Sequence, residues 1–266
     1  MDSTLDNLIK EELMKEEKSI VFGDLHIPFH DDKAVLLMLK FLKLYQPDRI
    51  FINGDLLDCW SISKFAKPVD LEVHLADEIT EAKDFFRCLR KIAPKAKIVY
   101  IFGNHEFRFE KYLAQEAGMF RNLEGMSLQE QLKCDHFENE VINKHLKENY
   151  YRYGHLLIGH WNKANKFSGY TVKNLMEEKG MSMIQNHTHR GAQIFKRDYK
   201  DIYCGVENFC LCDINPHYLS LPNWQLGFCT ISTDATGFFR VSLRPIIDYN
   251  GRYQVKFGEQ VLSISK

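Results

Sequence analysis

Short apolar runs alternate with longer amphipathic stretches along the first two-thirds of this chain. Ser19-Ile-Val-Phe-Gly, Asp48-Arg-Ile-Phe-Ile-Asn and Ala96-Lys-Ile-Val-Tyr-Ile-Phe are short and rich in β-branched and aromatic residues, which predicts strands. Between them, Asp32 to Tyr45 and residues 72–92 place apolar residues three and four apart, which predicts helices. This βαβαβ rhythm specifies a largely parallel sheet with helices packed outside it. Ahead of it, Leu5, Leu8, Ile9 and Leu13 fall at helical spacing, predicting an amphipathic leading helix within residues 1–17.

From about 107 to 150 the sequence is rich in helix formers, broken by Gly118 and Gly125, and is expected to form a helical insertion or cap. The strand rhythm resumes at Tyr153-Gly-His-Leu-Leu-Ile-Gly. A helix near 169–179 then leads to a strand at Met181-Ser-Met-Ile-Gln. Beyond residue 192 the chain becomes β-rich. Phe228-Cys-Thr-Ile-Ser, Gly237-Phe-Phe-Arg-Val-Ser-Leu and Tyr253-Gln-Val-Lys-Phe are expected to pair antiparallel and close the second half of the sheet system. No internal repeat or linker interrupts the pattern, so a single domain over residues 1–266 is expected.

Composition narrows this picture. Hydrophobic residues make up 45% and charged residues 27%, which excludes disorder. A net charge of −1 provides no global basic field of the kind that draws a protein to nucleic acid or an anionic membrane, although a local basic groove stays open. The acidic and basic N-terminus has no signal-peptide pattern, and no apolar run reaches the roughly 18 residues of a membrane span, so a cytoplasmic protein without a membrane partner is expected. Seven scattered cysteines read as reduced, buried thiols, with Cys210 and Cys212 on one face of a strand. Nothing calls for an obligate protein partner.

The chemistry lies where the predicted strands end. The first ends in Gly23-Asp24-Leu25-His26, the second in Asn53-Gly54-Asp55-Leu56-Leu57-Asp58, and the third in Phe102-Gly103-Asn104-His105-Glu106. Two later strands end in Gly159-His160 and Asn186-His187-Thr188-His189. In an open α/β sheet, ligands bind beyond the carboxyl ends of the strands, so these side chains converge on one edge. Hard oxygen ligands mixed with imidazoles suit Mn²⁺, Fe or Zn²⁺, and one carboxylate can bridge two ions. Two ions about 3.5–4 Å apart activate a nucleophile and neutralise a phosphoryl group during in-line displacement.

In this order, D-x-H, G-D-x-x-D, G-N-H-E, G-H and H-x-H resemble the calcineurin-like metallophosphoesterase superfamily, over roughly the first 190 residues. The resemblance implies an α/β four-layer sandwich of two mixed β-sheets flanked by helices. It implies a two-metal-ion phosphoester hydrolase that uses a metal-bridging hydroxide. Asp24, His26 and His189 would serve the first metal, Asp55 would bridge, and Asn104, His160 and His187 would serve the second. The ions would be divalent, foremost Mn²⁺, with Fe, Zn²⁺, Ni²⁺ or Co²⁺ as alternatives. His105 would face the scissile phosphate without ligating. Asp58 is the first choice to orient its ring and Glu106 the second.

Two positions depart from the family pattern. Asn186 stands where G-H-x-H begins with glycine, and asparagine is expected to keep a left-handed turn there. Cys59-Trp60 follows the second motif where phosphoprotein phosphatases carry Arg-Gly, which argues against that activity. Asn215-Pro-His-Tyr-Leu-Ser-Leu-Pro-Asn-Trp-Gln-Leu-Gly-Phe resembles the end of small bacterial and phage members, which favours a nucleotide or nucleic-acid setting.

Loops decide the ester. Lys64, Lys67, Arg108, Lys111, Lys163, Lys166 and Arg190 lie near the motifs and could hold phosphates, while Trp60, Phe65, Trp161 and Trp224 could stack on bases. The leading expectation is a phosphodiesterase or nuclease. The alternatives are a phosphomonoesterase of a small molecule or protein and, remotely, a non-catalytic scaffold, which the retention of every motif position opposes.

Overall fold

A computed structural model describes residues 16–64, 71–144, 148–216 and 219–265 of the chain. The expected leading helix falls almost wholly outside these residues, and Glu17 opens a strand. Strands β1 (Glu17–Phe22), β2 (Arg49–Asn53), β3 (Lys97–Ile101) and β4 (Asn139–Ile142) lie side by side and parallel. The crossovers carry helices α1 (Asp32–Tyr45) and α2 (Leu75–Ile92). Asp31 starts α1 by accepting from the backbone N–H groups of Lys33 and Ala34, two of the donors a helix start leaves unpaired.

Alternation along the strands builds two layers at once. Ile20 and Phe22, Ile50 and Ile52, and Ile98 and Tyr100 pack with Leu37, Met38 and Phe41 of α1 and Ile79, Phe86 and Leu89 of α2. The residues between them, Val21, Phe51 and Val99, face the other way, into a second sheet. Burying each such side chain contributes about 1.5–3 kcal/mol, so register is firmly fixed.

The segment after β3 is helical only at first. It forms α3 (Glu106–Glu116), a 3-10 turn (Gly118–Phe120) and α4 (Leu128–Gln131). Strand β4 then lies inside what the sequence marks as a helical cap, and β5 (Tyr150–Tyr153) begins where that segment ends. Asn139-Glu-Val-Ile is a four-residue edge strand with a polar start, too short for alternation to signal it.

The second sheet has the order β5, β6 (Leu156–Gly159), β7 (Ser182–Gln185), β9 (Ile202–Asn208), β8 (Gly191–Arg197). Its inward residues Leu156, Ile158, Ile184 and Val206 meet those of the first sheet. On its outer face Leu157 and Met183 pack under Val172, Leu175 and Met176 of α5 (Tyr170–Lys179). The result is helix, sheet, sheet, helix, with both sheets mixed.

The C-terminal strands do not complete the second sheet. β10 (Gly227–Thr233) pairs antiparallel with β1 and carries β11 (Phe239–Pro245) beyond it, so both extend the first sheet. β12 (Ile247–Tyr249), β13 (Arg252–Phe257) and β14 (Gln260–Ile264) form a separate antiparallel sheet over α1, where Phe257 meets Phe41 at 5.0 Å between ring centroids. Among the described residues, no helix is long and apolar enough to cross a membrane.

Candidate active site

Every motif singled out in the sequence lies just past a strand at the shared edge of the two main sheets. Asp24 and His26 follow β1, Asp55 and Asp58 follow β2, Asn104 and His105 follow β3, His160 follows β6, and His187 and His189 follow β7. The structure brings most of them within a few ångströms of one another. Asp55 is the hub: its Oδ2 lies 3.2 Å from His160 Nε2, 3.7 Å from His105 Nε2 and 3.9 Å from His26 Nε2. Asp24 Oδ1 lies 3.3 Å from His189 Nε2, and His26 Nε2 is 3.1 Å from His189 Nε2. Among the described residues, ligand-type atoms of His26, Asp55 and His105 form one compact group, those of Asp55, His160 and His187 a second, and those of His26, His189 and Cys212 a third.

Local sequence explains this convergence. The loops after β1 and β2 continue the sheet pairing, with Asp24 N donating to Gly54 O at 3.0 Å and His26 N to Asp55 O at 3.0 Å. Asp24, His26, Asp55, His187 and His189 all have positive φ, which turns the chain sharply at each motif. Glycine is needed where neighbours crowd in. A Cβ on Gly54 would come within 2.3 Å of the His160 ring, and one on Gly103 within 2.1 Å of Asp55 Oδ1.

Buried carboxylates brace these turns. Glu106 accepts from the N–H groups of Asp55, Leu56, Leu57 and Gly103 and from the Tyr100 hydroxyl, all at 2.7–3.2 Å. It is therefore occupied with backbone and does not reach the His105 ring. That ring instead meets Asp58, whose Oδ1 is 2.8 Å from His105 Nδ1. Glu78 takes the N–H groups of Cys59 and Trp60, and Glu207 those of Thr171 and Val172 together with the Thr188 hydroxyl.

Asn186 acts through its side chain. Its own φ is negative and the left-handed residue is the next one, His187, so the expected backbone role falls one position away. The Asn186 amide donates to Asp24 Oδ2 at 3.0 Å and accepts from Asn53 Nδ2 at 2.9 Å and from Asn208 Nδ2 at 3.1 Å, tying the two sheets together beneath the site. A glycine would leave those groups without it.

Electrostatics follow from burial and proximity. Burial alone would raise the Asp24 carboxyl, but His189 and His160 outweigh it and hold it down at about 2. Asp55 is likewise held well below the usual carboxylate range against its burial, by His105 and His160. His160 shows the reciprocal effect: burial pushes it down, yet Asp55 and Asp24 raise it to about 10. His187 falls to about 4, through burial and then through His160.

The donor set suits divalent cations. Asn104 Oδ1 is buried without a hydrogen-bond partner, which costs about 1–3 kcal/mol unless something else satisfies it, and Asp24 Oδ1 and His160 Nε2 are buried with only ion-pair contacts, the nearest to His189 and Asp55 respectively. His160 Nδ1 donates to the Asn53 carbonyl at 2.9 Å, so when the ring loses its second proton it is Nε2 that is left to ligate. Carboxylates, an amide oxygen and imidazoles match the hard-to-borderline ions named above.

Three residues join the site that sequence reasoning missed or left among many. Arg108 donates through Nη2 to His105 Nε2 at 2.9 Å and through Nη1 to the Asp58 carbonyl at 3.0 Å. Cys212 Sγ lies 3.7 Å from His189 Nδ1, and the Trp224 ring stands edge-on to the His189 ring at 4.2 Å. Cys210 and Cys212 lie outside the named strands and make only isolated bridges, so the expected strand face is absent. Trp161 is buried against Tyr150 and offers no platform for a base. Lys163 pairs with Glu178, and Arg190 donates to the Asn165 carbonyl. Lys67 and Phe65 lie outside the described residues.

A family model for calcineurin-like phosphoesterases matches residues 18–217, so the chain belongs to that family and is a metal-dependent phosphoester hydrolase. It is 28% identical over 258 residues to the gene 54 protein of Mycobacterium phage L5, covering 90% of this chain and 96% of that one. A UDP-2,3-diacylglucosamine hydrolase of Shewanella baltica is 29% identical over 104 residues, 38% of each chain. Among solved structures, Vps29 of Chaetomium thermophilum aligns with a TM-score of 0.45 at 16% identity, covering 93% of this chain and 97% of that one.

Proposed function

We propose that the chain hydrolyses phosphodiesters of nucleotides or nucleic acid with two divalent ions, foremost Mn²⁺. Asp24, His26 and His189 hold one ion, Asn104, His160 and His187 the other, and Asp55 bridges. The observation that supports this reading is the position of Asp55, grouped on one side with His160 and His187 and on the other with His26 and the non-ligating His105. When bound, such ions supply Lewis-acid charge and make water a nucleophile near neutral pH.

The chain's own groups do the rest. His105 Nδ1–H donates to Asp58 Oδ1, which turns Nε2 toward the site; once Arg108 turns to the phosphate and Nε2 takes up a proton, the ring can stabilise developing charge or protonate the leaving oxygen. Arg108, beside Nε2, is placed to take a non-bridging phosphate oxygen in its fork. Water adds across one P–O bond, yielding a phosphomonoester and an alcohol. The same guanidinium favours phosphomonoester hydrolysis as a second reading, since a monoester dianion needs that charge most.

The test is hydrolysis of bis-p-nitrophenyl phosphate against p-nitrophenyl phosphate, with Mn²⁺ and with chelator, alongside metal content measured on the same sample. Mn²⁺-dependent turnover that is faster on the diester is expected. A metal-loaded protein that turns over neither ester sinks the proposal, and faster monoester cleavage selects the second reading.

A further inference from the structure

A cleft opens directly beside the ligand cluster, and its walls differ in character. His26, His189 and Asp58 form the wall it shares with the active site. The other walls are largely aromatic. Phe29 and Trp60 meet edge to face at 5.2 Å between centroids, and Trp224 stands against His189. The Trp60 wall is rigid, because its own N–H and that of Cys59 are both held by the buried Glu78 carboxylate. Trp60 is 8% exposed, so it offers the cavity one edge of its ring.

Charge argues for what belongs there. Among the described residues no lysine or arginine lines this cavity, and Asp213 is part of its wall. A second phosphate would be repelled by Asp213 and Asp58, whereas a flat, uncharged ring that presents N–H groups would be accepted. A different hollow begins at Arg108 and is lined also by Lys64, Lys111 and Tyr112. Anionic groups belong on that side. The site is thus bounded by an aromatic, acid-tipped cavity and a basic hollow, with Asp58 and Arg108 in contact between them.

We propose that the Phe29–Trp60–Trp224 cavity is the base-binding subsite of a nucleotide substrate. The nucleobase packs against Trp60 and Trp224, its N–H groups face Asp213, and its ester phosphate falls on the ligand cluster. This inference rests on the phosphodiesterase reading and narrows it to esters that carry a nucleobase on the side of β1 and the loop after β9.

The experiment compares adenosine 5′-monophosphate with ribose 5-phosphate on the full Mn²⁺-loaded chain, by titration calorimetry and by quenching of tryptophan fluorescence. Stacking on aromatic rings predicts that the nucleotide binds at least about tenfold tighter than the sugar phosphate and quenches emission. Trp224→Leu should remove most of that preference while Mn²⁺ stoichiometry is retained. Phe29→Leu, which touches no proposed ligand in the ring contacts above, provides a second variant should the first fail to fold. Equal affinities for the two compounds, or a preference that survives both substitutions, overturn the inference. Mn²⁺-dependent diester hydrolysis is measured beside it: if hydrolysis persists without base preference, only this subsite is lost, and if hydrolysis is missing, the phosphodiesterase reading itself falls.

Discussion

The two sheets meet at one edge but bring different chemistry to it. The first sheet supplies Asp24, Asp55, Asn104 and Asp58, and the second supplies His160, His187 and His189. Oxygen and negative charge come from one side and imidazole from the other, with His26 and His105 crossing that division. Their supports differ as well. On the first sheet one carboxylate, Glu106, grips four backbone N–H groups at once. At the seam with the second, the amides of Asn53, Asn186 and Asn208 pass hydrogen bonds between the sheets. Full negative charges need a rigid frame that keeps them together against repulsion, whereas imidazoles drawn toward those charges need only orientation.

That contrast can be broken most severely at its hub. Asp55→Asn keeps the shape but removes the shared charge, and Mn²⁺-dependent diester hydrolysis should fall about 10³-fold or more in kcat/KM, several kcal/mol of transition-state stabilisation. An effect under tenfold would remove Asp55 from the centre. Glu106→Gln comes next. At least one gripped N–H must lose its acceptor, so urea denaturation should show about 3 kcal/mol less stability and metal titration a 10–100-fold weaker affinity.

Asn186→Gly, which restores the family's usual residue, should cost less, about 1–2 kcal/mol. Equal losses for Glu106→Gln and Asn186→Gly would erase the distinction between the two supports. The mildest effect is on pH dependence. Burial raises the Glu78 carboxyl to about 7. An acid raised above its unfolded value stabilises most below that unfolded value, near 4.5, and its contribution is lost as pH rises through 7. The urea midpoint should therefore drift down between pH 5 and 8, and Glu78→Gln should flatten the drift.

How far the sequence foretells this arrangement depends on whether a residue acts where the chain is regular. Strand ends are readable, because apolar runs announce the strand and the next two or three residues can only lie at its tip. That is why Asp24, Asp55, Asn104, His160 and His189 could be placed on one edge before any coordinates. Glu106 stands in a motif, but nothing in the sequence says that it holds backbone and not the His105 ring, and Glu78 and Glu207 are not marked at all. Each of the last two resembles an ordinary solvated acid on a helix or strand, and only the tertiary fold aims it at distant N–H groups.

Asn186 was legible as an anomaly but not as a bridge, since its partners Asn53 and Asn208 lie 133 and 22 residues away. Cys212 and Trp224 reach His189 from a loop beyond the last motif, with no periodicity to mark them. β4 escapes notice because edge strands of four residues carry almost no pattern, and β10 pairs antiparallel as expected but on the first sheet, because such pairing can return to either free edge.

The left-handed backbone at the motifs has an evolutionary consequence. Five residues other than glycine hold φ between 49° and 82° there, each about 1–2 kcal/mol above a relaxed conformation, a sum comparable with the whole stability of an ordinary domain. Glycine at any of them would relieve the strain and delete a working side chain in the same step. A descendant no longer selected for its activity would thus drift toward a sturdier, silent fold, while any lineage that keeps these five side chains advertises, by the instability it tolerates, that the site is still in use.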